Sequence, residues 1–227
     1  MRYTALLLLL LASPGWAGSP LRVAVAANFR HTLEQISTEF SARTGEQVVL
    51  SSASTGVLYS QITHGAPFDI LFAADRATPA RLEDTPEAPF CYARGRLVLT
   101  GSSQGLQLLA DASLSLAIAN PKTAPYGRAA EEVLARPDFA SAGGRKLVRG
   151  SNVVQAYQFW HSGGVDLALV PRSLAPDGES IPREWHQPIE QHAVLLRPSA
   201  AADAYLNWIR SDTVRALIQN AGYEPCP

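Results

Sequence analysis

The 227-residue sequence lacks an excess of positive charge. It carries 19 Lys and Arg against 20 Asp and Glu, which gives a formal net charge of −1, and it contains no run of basic residues. A nucleic-acid-binding protein needs clustered positive charge to meet the phosphates. We therefore expect no nucleic-acid partner.

Long apolar runs are also scarce, and the one that is present lies at the N-terminus. Residues 5–12 are uniformly apolar, Arg2 precedes them, and Gly15 and Ala17 follow with small-x-small spacing. This layout is typical of a secretory signal peptide, and the run is shorter than the ~20 residues of a membrane-spanning helix. We predict that residues 1–17 are a signal peptide and that the mature chain is exported, soluble and not inserted in a membrane.

Cysteine is limited to Cys91 and Cys226. The sequence has no Cys-x-x-Cys and no His-x-x-x-His pair, spacings that are typical of metal ligands, so we expect no cation site. Disulfides persist outside the cytoplasm, which favours a bridge that ties the C-terminal tail to the middle of the chain. Two free thiols remain the alternative, because the geometry of the fold decides whether a bridge forms.

The rest of the sequence alternates short apolar runs with amphipathic segments, in two blocks. In the first block we predict strands at 21–27, 47–51 and 68–73 and helices at 29–43 and 57–63. In the second we predict strands at 96–100, 114–119, 165–170 and 192–196, helices at 128–136, 153–161 and 201–221, and loops at 101–113 and 171–190. This alternation predicts an α/β fold with parallel strands covered by helices, and two blocks indicate two lobes. The pattern does not assign the last helix to either lobe.

Polar or small residues follow the strands at four points where a helix is about to begin. In open α/β sheets, ligands bind beyond the carboxyl ends of the strands, next to helix N-termini. The first N–H groups of a helix lack partners within it and carry partial positive charge, so several helix starts around one cleft bind an anion without Lys or Arg. The alternative is that Asn28, Ser54 and Asn152 are ordinary helix N-caps.

Several motifs together resemble the periplasmic molybdate-binding proteins of ABC transporters. They are VAVAANF at 23–29, the segment 51–56, GAPFDILFAAD at 65–75, YARGRLVL at 92–99, the segment 120–127, Asn152-Val153 and Gly222-Tyr223. Their order and spacing cover nearly all of the mature chain. The resemblance implies a two-lobed type II periplasmic binding fold, with mixed sheets flanked by helices and the ligand in the cleft between the lobes. It implies a first lobe of residues 18–91 plus 198–227 and a second lobe of residues 92–197.

The resemblance also implies a ligand and the residues that bind it. The ligand is molybdate, with tungstate expected to bind as well, and no cofactor is implied. Side chains at Asn28 and at Ser54 or Thr55 match donors of the first lobe, and Tyr126 and Val153 match two backbone N–H donors of the second. Some members use a further tyrosine at the position that is Pro171 here, so that contact is absent. The protein would be a periplasmic monomer that delivers the oxyanion to an inner-membrane ABC permease complex.

Uncharged donors suit this ligand class because donors at fixed positions bind best to ligands with acceptors at matching positions. The O–H of a protonated phosphate would face an N–H or O–H of the protein, and two donors form no hydrogen bond. Each buried group left unpaired in this way costs about 1–3 kcal/mol. Sulfate is fully ionised, and only the size of the cavity rejects it.

Three alternative functions stay open at this point. The first is binding of another oxyanion, such as sulfate. The second is a secreted serine hydrolase, because GSSQG at 101–105 matches Gly-x-Ser-x-Gly around Ser103, with histidines downstream. Ester hydrolysis that disappears in a Ser103→Ala variant would identify it. The third is the sensor domain of a transcription regulator, which the signal peptide and the lack of a DNA-binding segment disfavour.

Overall fold

The computed structural model describes residues 19–101 and 105–227. The predicted signal peptide and Ser103 therefore lie outside the described residues. The strands are β1 (Leu21–Ala26), β2 (Val48–Ala53), β3 (Ile70–Phe72), β4 (Phe90–Gly95), β5 (Leu97–Thr100), β6 (Leu116–Ala119), β7 (Leu147–Gly150), β8 (Leu167–Pro171), β9 (Glu179–Ser180) and β10 (Ile189–Leu195). The α-helices are α1 (Arg30–Thr44), α2 (Thr55–Thr63), α3 (Pro125–Leu134), α4 (Val153–His161), α5 (Ala200–Ile209) and α6 (Asp212–Asn220). None of the helices in these ranges is both long and apolar enough to cross a membrane.

The strands form two five-stranded mixed sheets with equivalent topologies. The first sheet has the order β2-β1-β3-β10-β4, with β1 parallel to β2 and β3 and with β10 antiparallel to both of its neighbours. The second has the order β7-β6-β8-β5-β9, with β6 parallel to β7 and β8 and with β5 antiparallel to both of its neighbours. The predicted α/β fold with mixed, helix-flanked sheets is confirmed.

The sheet pairings show which segments cross between the lobes, whose boundaries the resemblance implies at 91/92 and 197/198. Strand β4 pairs with β10 in the first sheet as far as Gly95, and β5 enters the second sheet at Leu97, so the first crossing lies at Arg96. The second crossing lies in the segment 181–188, between β9 and β10. An apolar run indicates a strand but not which sheet receives it, so the pattern alone could not locate these crossings.

The predicted helix at 201–221 is wrong as a single element, because the chain forms α5 and α6 instead. Arg210 ends α5, and Ser211 begins α6 by accepting a hydrogen bond from the N–H of Val214. Ser211 followed by Asp212 is a typical helix start. It begins a new helix here although the apolar periodicity continues through 201–221. Both helices pack on the first lobe, where Tyr205 and Ile218 join Val23 and Phe72 in one core.

A second core fills the other lobe and extends across the cleft. It is built on Leu99, Ile118 and Leu167 from the second sheet, and it also includes Ala27 and Ala74 from the first lobe. The two lobes are therefore in apolar contact at the edge where their strands end.

A disulfide joins Cys91 in β4 to Cys226 in the C-terminal tail, with 6.0 Å between the Cα atoms. This confirms the favoured pairing and excludes the two free thiols. The tail is also held by backbone hydrogen bonds in both directions between Arg94 and Glu224, at 2.8 and 2.9 Å. The bridge thus fixes Glu224 beside the first lobe crossing.

Removing this bridge is expected to destabilise the protein, because it spans 135 residues of sequence. A Cys91→Ala, Cys226→Ala double variant should lose about 2–5 kcal/mol in the free energy of unfolding, the range for a disulfide that closes a long loop. Urea denaturation followed by circular dichroism measures the difference. Adding a reductant should bring the parent protein to the stability of the variant and leave the variant unchanged. Equal unfolding midpoints for the parent and the variant would contradict the assignment.

Candidate functional site

A small cavity lies in the cleft where the carboxyl ends of strands from both sheets face each other. Its volume is about 200 Å³, including the space at its mouth. The first lobe lines it with Ala26, Ala27, Asn28, Ser54, Thr55 and Ala74, and the second lobe lines it with Ala124, Pro125, Tyr126, Asn152 and Val153. All the predicted site residues are therefore brought together around one cavity.

Asn28 does not cap the helix that follows it. Helix α1 starts with Phe29 at the N-cap position and no side-chain cap. The Asn28 side chain, which is buried, donates from Nδ2 to Gln191 Oε1 at 2.7 Å and to the Tyr223 hydroxyl at 3.3 Å. The N-cap alternative is wrong for this residue, whose amide belongs to a buried network beside the cavity.

Ser54 occupies the N-cap position of α2, but its hydroxyl makes no capping hydrogen bond. The Oγ atom is buried and has no hydrogen-bond partner within the described part of the chain. Burying an unpartnered hydroxyl is costly, so this group is a donor left available at the cavity wall. The neighbouring Thr55 Oγ1 instead accepts a hydrogen bond from the Ala74 N–H at 2.9 Å, which couples α2 to the end of β3.

The second lobe presents two helix starts to the same cavity. Pro125 is the first residue of α3, so the first N–H of that helix belongs to Tyr126. Helix α4 is capped by Asn152, whose side chain accepts from the N–H groups of Val154 and Gln155 at 2.9 and 3.1 Å. The N-cap interpretation is confirmed for Asn152. This cap does not engage the N–H of Val153, which stays available at the cavity.

The electrostatic character of the cavity comes from helix ends and hydroxyl groups rather than from charged side chains. Helices α2, α3 and α4 all begin there, and each start carries about half a positive charge. No Lys or Arg occurs among the described residues that line it. Such an arrangement favours a small anion with many acceptor oxygens.

Behind Asn28 lies a buried set of phenols around Gln191. Burial raises the pKa of Tyr92 and of Tyr126 well above the ordinary value, and it raises the pKa of Tyr223 to about 12. These hydroxyls therefore stay neutral at physiological pH. The Tyr126 hydroxyl reaches this set only because residue 95 is glycine, since a Cβ there would lie 2.1 Å from it.

Tyr92 and Gln191 were not among the predicted site residues. Gln191 carried no signal, because a single glutamine beside a predicted strand is ordinary on a surface. Pro171, where the resemblance implies a missing tyrosine contact, ends β8 and is not among the cavity-lining residues. Nearby, the Ser173 hydroxyl donates to the Asn28 carbonyl oxygen at 3.3 Å, and the Tyr223 hydroxyl donates to the same oxygen at 2.6 Å.

Direct contacts close the lobes over the cavity. The N–H of Gly56 in α2 donates to the carbonyl oxygen of Thr123 across the cleft at 2.9 Å. Arg128 in α3 pairs with Asp75, which follows β3, at 2.5 Å. The cavity is therefore enclosed by two lobes that contact each other, and the arrangement defines a two-lobed binding protein for a small solute.

Comparisons with known proteins place the chain in a family of that class. A family model described as bacterial extracellular solute-binding protein matches residues 21–224. The molybdate-binding protein ModA of Azotobacter vinelandii is 38% identical over 224 residues, or 89% of each chain. The corresponding protein of Rhodobacter capsulatus is 36% identical over 97% of this chain and 94% of its own. The solved structure of the A. vinelandii periplasmic molybdate-binding protein matches with a TM-score of 0.82 and 33% identity, over 91% of this chain and 100% of that one.

The chain therefore belongs to the bacterial extracellular solute-binding protein family. Its relatives are binding proteins and not enzymes, which removes the serine hydrolase alternative. The type II periplasmic binding fold implied by the sequence resemblance is confirmed.

A Gly56→Ala variant tests whether the contact across the cleft controls closure. The added Cβ would lie 3.1 Å from Thr123 Cα and 3.2 Å from its carbonyl oxygen, and crowding of this kind costs about 1–3 kcal/mol. Alanine is the better helix former within α2, so the lobe itself should not lose stability. We expect a larger radius of gyration by small-angle X-ray scattering and an unchanged or higher melting temperature.

The matched control is Gly144→Ala, because a Cβ at Gly144 would meet nothing within 4 Å. It should leave the scattering curve unchanged. Indistinguishable curves for both variants would show that the Gly56–Thr123 contact does not control closure.

Proposed function

We propose that this protein binds molybdate in the cleft cavity, and binds tungstate equally, for delivery to an inner-membrane ABC permease. The observation that carries the proposal is the meeting of Asn28, Ser54, Thr55, Tyr126 and Val153 around one cavity in the cleft that has no charged side chain in its described lining. Two relatives above 35% identity, each matching most of this chain, carry the name molybdate-binding protein.

Each residue has a distinct role in this proposal. The Ser54 hydroxyl donates to one oxygen of the anion, because its oxygen and hydrogen have no other partner within the described residues. Thr55 holds the junction through the Ala74 N–H and is the secondary contact of the pair. The backbone N–H groups of Tyr126 and Val153 donate from the second lobe, and Asn28 donates from the first. A ligand held from both sides stabilises the closed arrangement by the free energy of its contacts to the lobe that closes.

The neutral donor set supports selection by protonation state. Molybdate and tungstate present only acceptor oxygens at neutral pH, which match the N–H and O–H donors that Ser54, Tyr126 and Val153 bring to the cavity. A phosphate that keeps a proton leaves a donor facing a donor, and an unmatched buried polar group costs about 1–3 kcal/mol. Sulfate has the same acceptor pattern, so only its smaller size distinguishes it from molybdate at this site.

The cellular setting follows the same proposal. The N-terminal 17 residues direct export, and the mature protein works in the periplasm without a cofactor. It acts as a monomer in this proposal. Delivery to the permease accompanies opening of the lobes, which separates the donors of α2 from those of α3 and α4.

Calorimetric titration of the purified mature protein with four anions tests the choice of ligand. We expect tight binding of molybdate and tungstate with similar affinities, and at least about tenfold weaker binding of phosphate, which corresponds to roughly 1.4 kcal/mol. Sulfate should also bind more weakly. If sulfate bound as tightly as molybdate, the protein would be a general oxyanion carrier, and the alternative ligand class would replace the proposal.

A pair of serine variants separates binding from capping. Ser54→Ala should weaken molybdate binding by about 1–2 kcal/mol, as for loss of a hydrogen bond to a charged group, without lowering the stability of the free protein. Ser211→Ala, the matched control, removes a cap that accepts from Val214 N at 3.3 Å, and should cost about 1 kcal/mol in stability with no effect on affinity. Asn28→Ala should also weaken binding by about 1–2 kcal/mol. Unchanged affinity in both Ser54→Ala and Asn28→Ala would place the site elsewhere.

A further inference from the structure

Gln191 is a fully buried polar residue in the strand that returns the chain to the first lobe. Its relative exposure is 0%, and the pairing of β10 with β4 shifts register between Gln191 and His192. A buried side-chain amide destabilises the fold unless its N–H and C=O groups have hydrogen-bond partners. The partners of this amide therefore indicate what it does.

Those partners include proposed ligand residues from both lobes. Gln191 Oε1 accepts from Asn28 Nδ2 at 2.7 Å and from the Tyr92 hydroxyl at 3.0 Å. Gln191 Nε2 donates to the Tyr126 hydroxyl at 3.4 Å, across the cleft. One amide thus connects the first junction of the first lobe with the helix start of the second lobe.

The same positions admit a second arrangement, in which the Gln191 and Asn28 amides are both turned. The Tyr92 hydroxyl also lies 3.1 Å from the Ala73 carbonyl oxygen, and it has one hydrogen to share between that oxygen and Gln191. If the Gln191 amide turns by half a rotation, its nitrogen donates to the Tyr92 hydroxyl and towards Asn28, and its oxygen accepts from Tyr126. Tyr92 then donates to Ala73. The two ends of an amide have nearly the same size, so both amides fit when turned. The turn gives up the longer hydrogen bond from Asn28 Nδ2 to the Tyr223 hydroxyl, at 3.3 Å.

The two arrangements present opposite ends of Asn28 to the cavity. With Gln191 Oε1 facing Asn28, the Asn28 nitrogen is committed to Gln191 and Tyr223, and its oxygen is the end left for the cavity. An oxygen acceptor repels an oxyanion. With Gln191 Nε2 facing Asn28, the Asn28 oxygen turns inwards and its nitrogen becomes a donor to the anion.

We infer that Gln191 is the positioning residue that sets Asn28 as a donor to the bound oxyanion, through an amide pair that turns together. This inference rests on the proposed function. Asn28 therefore contributes to the affinity for the anion only if residue 191 can donate a hydrogen bond to it. Glutamate at this position is similar in shape, but as a carboxylate it is an acceptor only and holds Asn28 in the unfavourable orientation.

A double-mutant cycle on molybdate affinity tests the inference. Gln191→Met, which is similar in length and has no N–H, should lower the affinity by about tenfold in the parent protein. In an Asn28→Ala background the same substitution should change the affinity by less than about twofold, because the group through which it acts has been removed. Gln191→Glu should lower the affinity at least as much as Gln191→Met, and it keeps the experiment decisive if Gln191→Met does not fold.

A spectroscopic readout and a stability control complete the design. Molybdate should shift the side-chain NH₂ resonances of Asn28, which are assigned by their loss in Asn28→Ala, in the parent protein but not in Gln191→Met. Ser37→Ala removes another buried hydrogen bond of the first lobe, to the Tyr205 hydroxyl at 2.7 Å, and should lower stability without changing affinity.

The possible failures are distinguishable. A parent protein that does not bind molybdate contradicts the proposed function. A parent protein that binds, with Gln191→Met lowering affinity equally in both backgrounds, shows that Gln191 acts independently of Asn28 and overturns this inference. An unchanged affinity in Gln191→Met and Gln191→Glu overturns it as well.

Discussion

The structure depends on the convergence of helix N-termini on one enclosed cavity. The first N–H groups of a helix have no partner within it, and burying them without one is costly. Here α2 brings its start from the first lobe, and α3 and α4 bring theirs from the second. Alanines and a proline fill the rest of the wall, so the donors dominate its polar character. The cavity therefore complements an anion by fixed dipoles instead of by an opposite charge, which favours discrimination by the positions of acceptors.

Closure of the lobes is supported at the hinge by Glu224. Its carboxylate pairs with Arg96 at the first crossing, at 2.6 Å, and with Arg183 in the second. Burial alone would raise the pKa of Glu224, but hydrogen bonds from these arginines lower it below the ordinary value. The carboxylate thus stays charged into the acidic range. The disulfide to Cys226 and the backbone pairing with Arg94 hold the tail, so one residue of the first lobe contacts both crossing segments.

The sequence predicted the parts of this fold that depend on local pattern. The pattern drew attention to Ser54 because it stands where a strand is followed by a helix start. Tyr126 and Val153 were expected as donors from the family resemblance, and all three residues line the cavity. The assignment of β4 and β10 to the first sheet was not predictable, since strand partners are chosen by tertiary packing. The N-cap reading failed for Asn28 and held for Asn152. Both are asparagines before a helix, and only the buried partners of Asn28 distinguish them. Gln191 could not be found at all, because its role exists only once distant segments meet.

Locating the bound anion is the most direct test of the account. A crystal structure of the mature protein grown with sodium tungstate, with data collected at a tungsten absorption edge, marks the metal by its anomalous scattering. The account predicts one strong peak in the cleft cavity, with oxygens in hydrogen-bond contact with the Ser54 hydroxyl and the N–H groups of Tyr126 and Val153. A peak elsewhere on the protein, or a cavity occupied only by water while tungstate is shown to bind in solution, would contradict it.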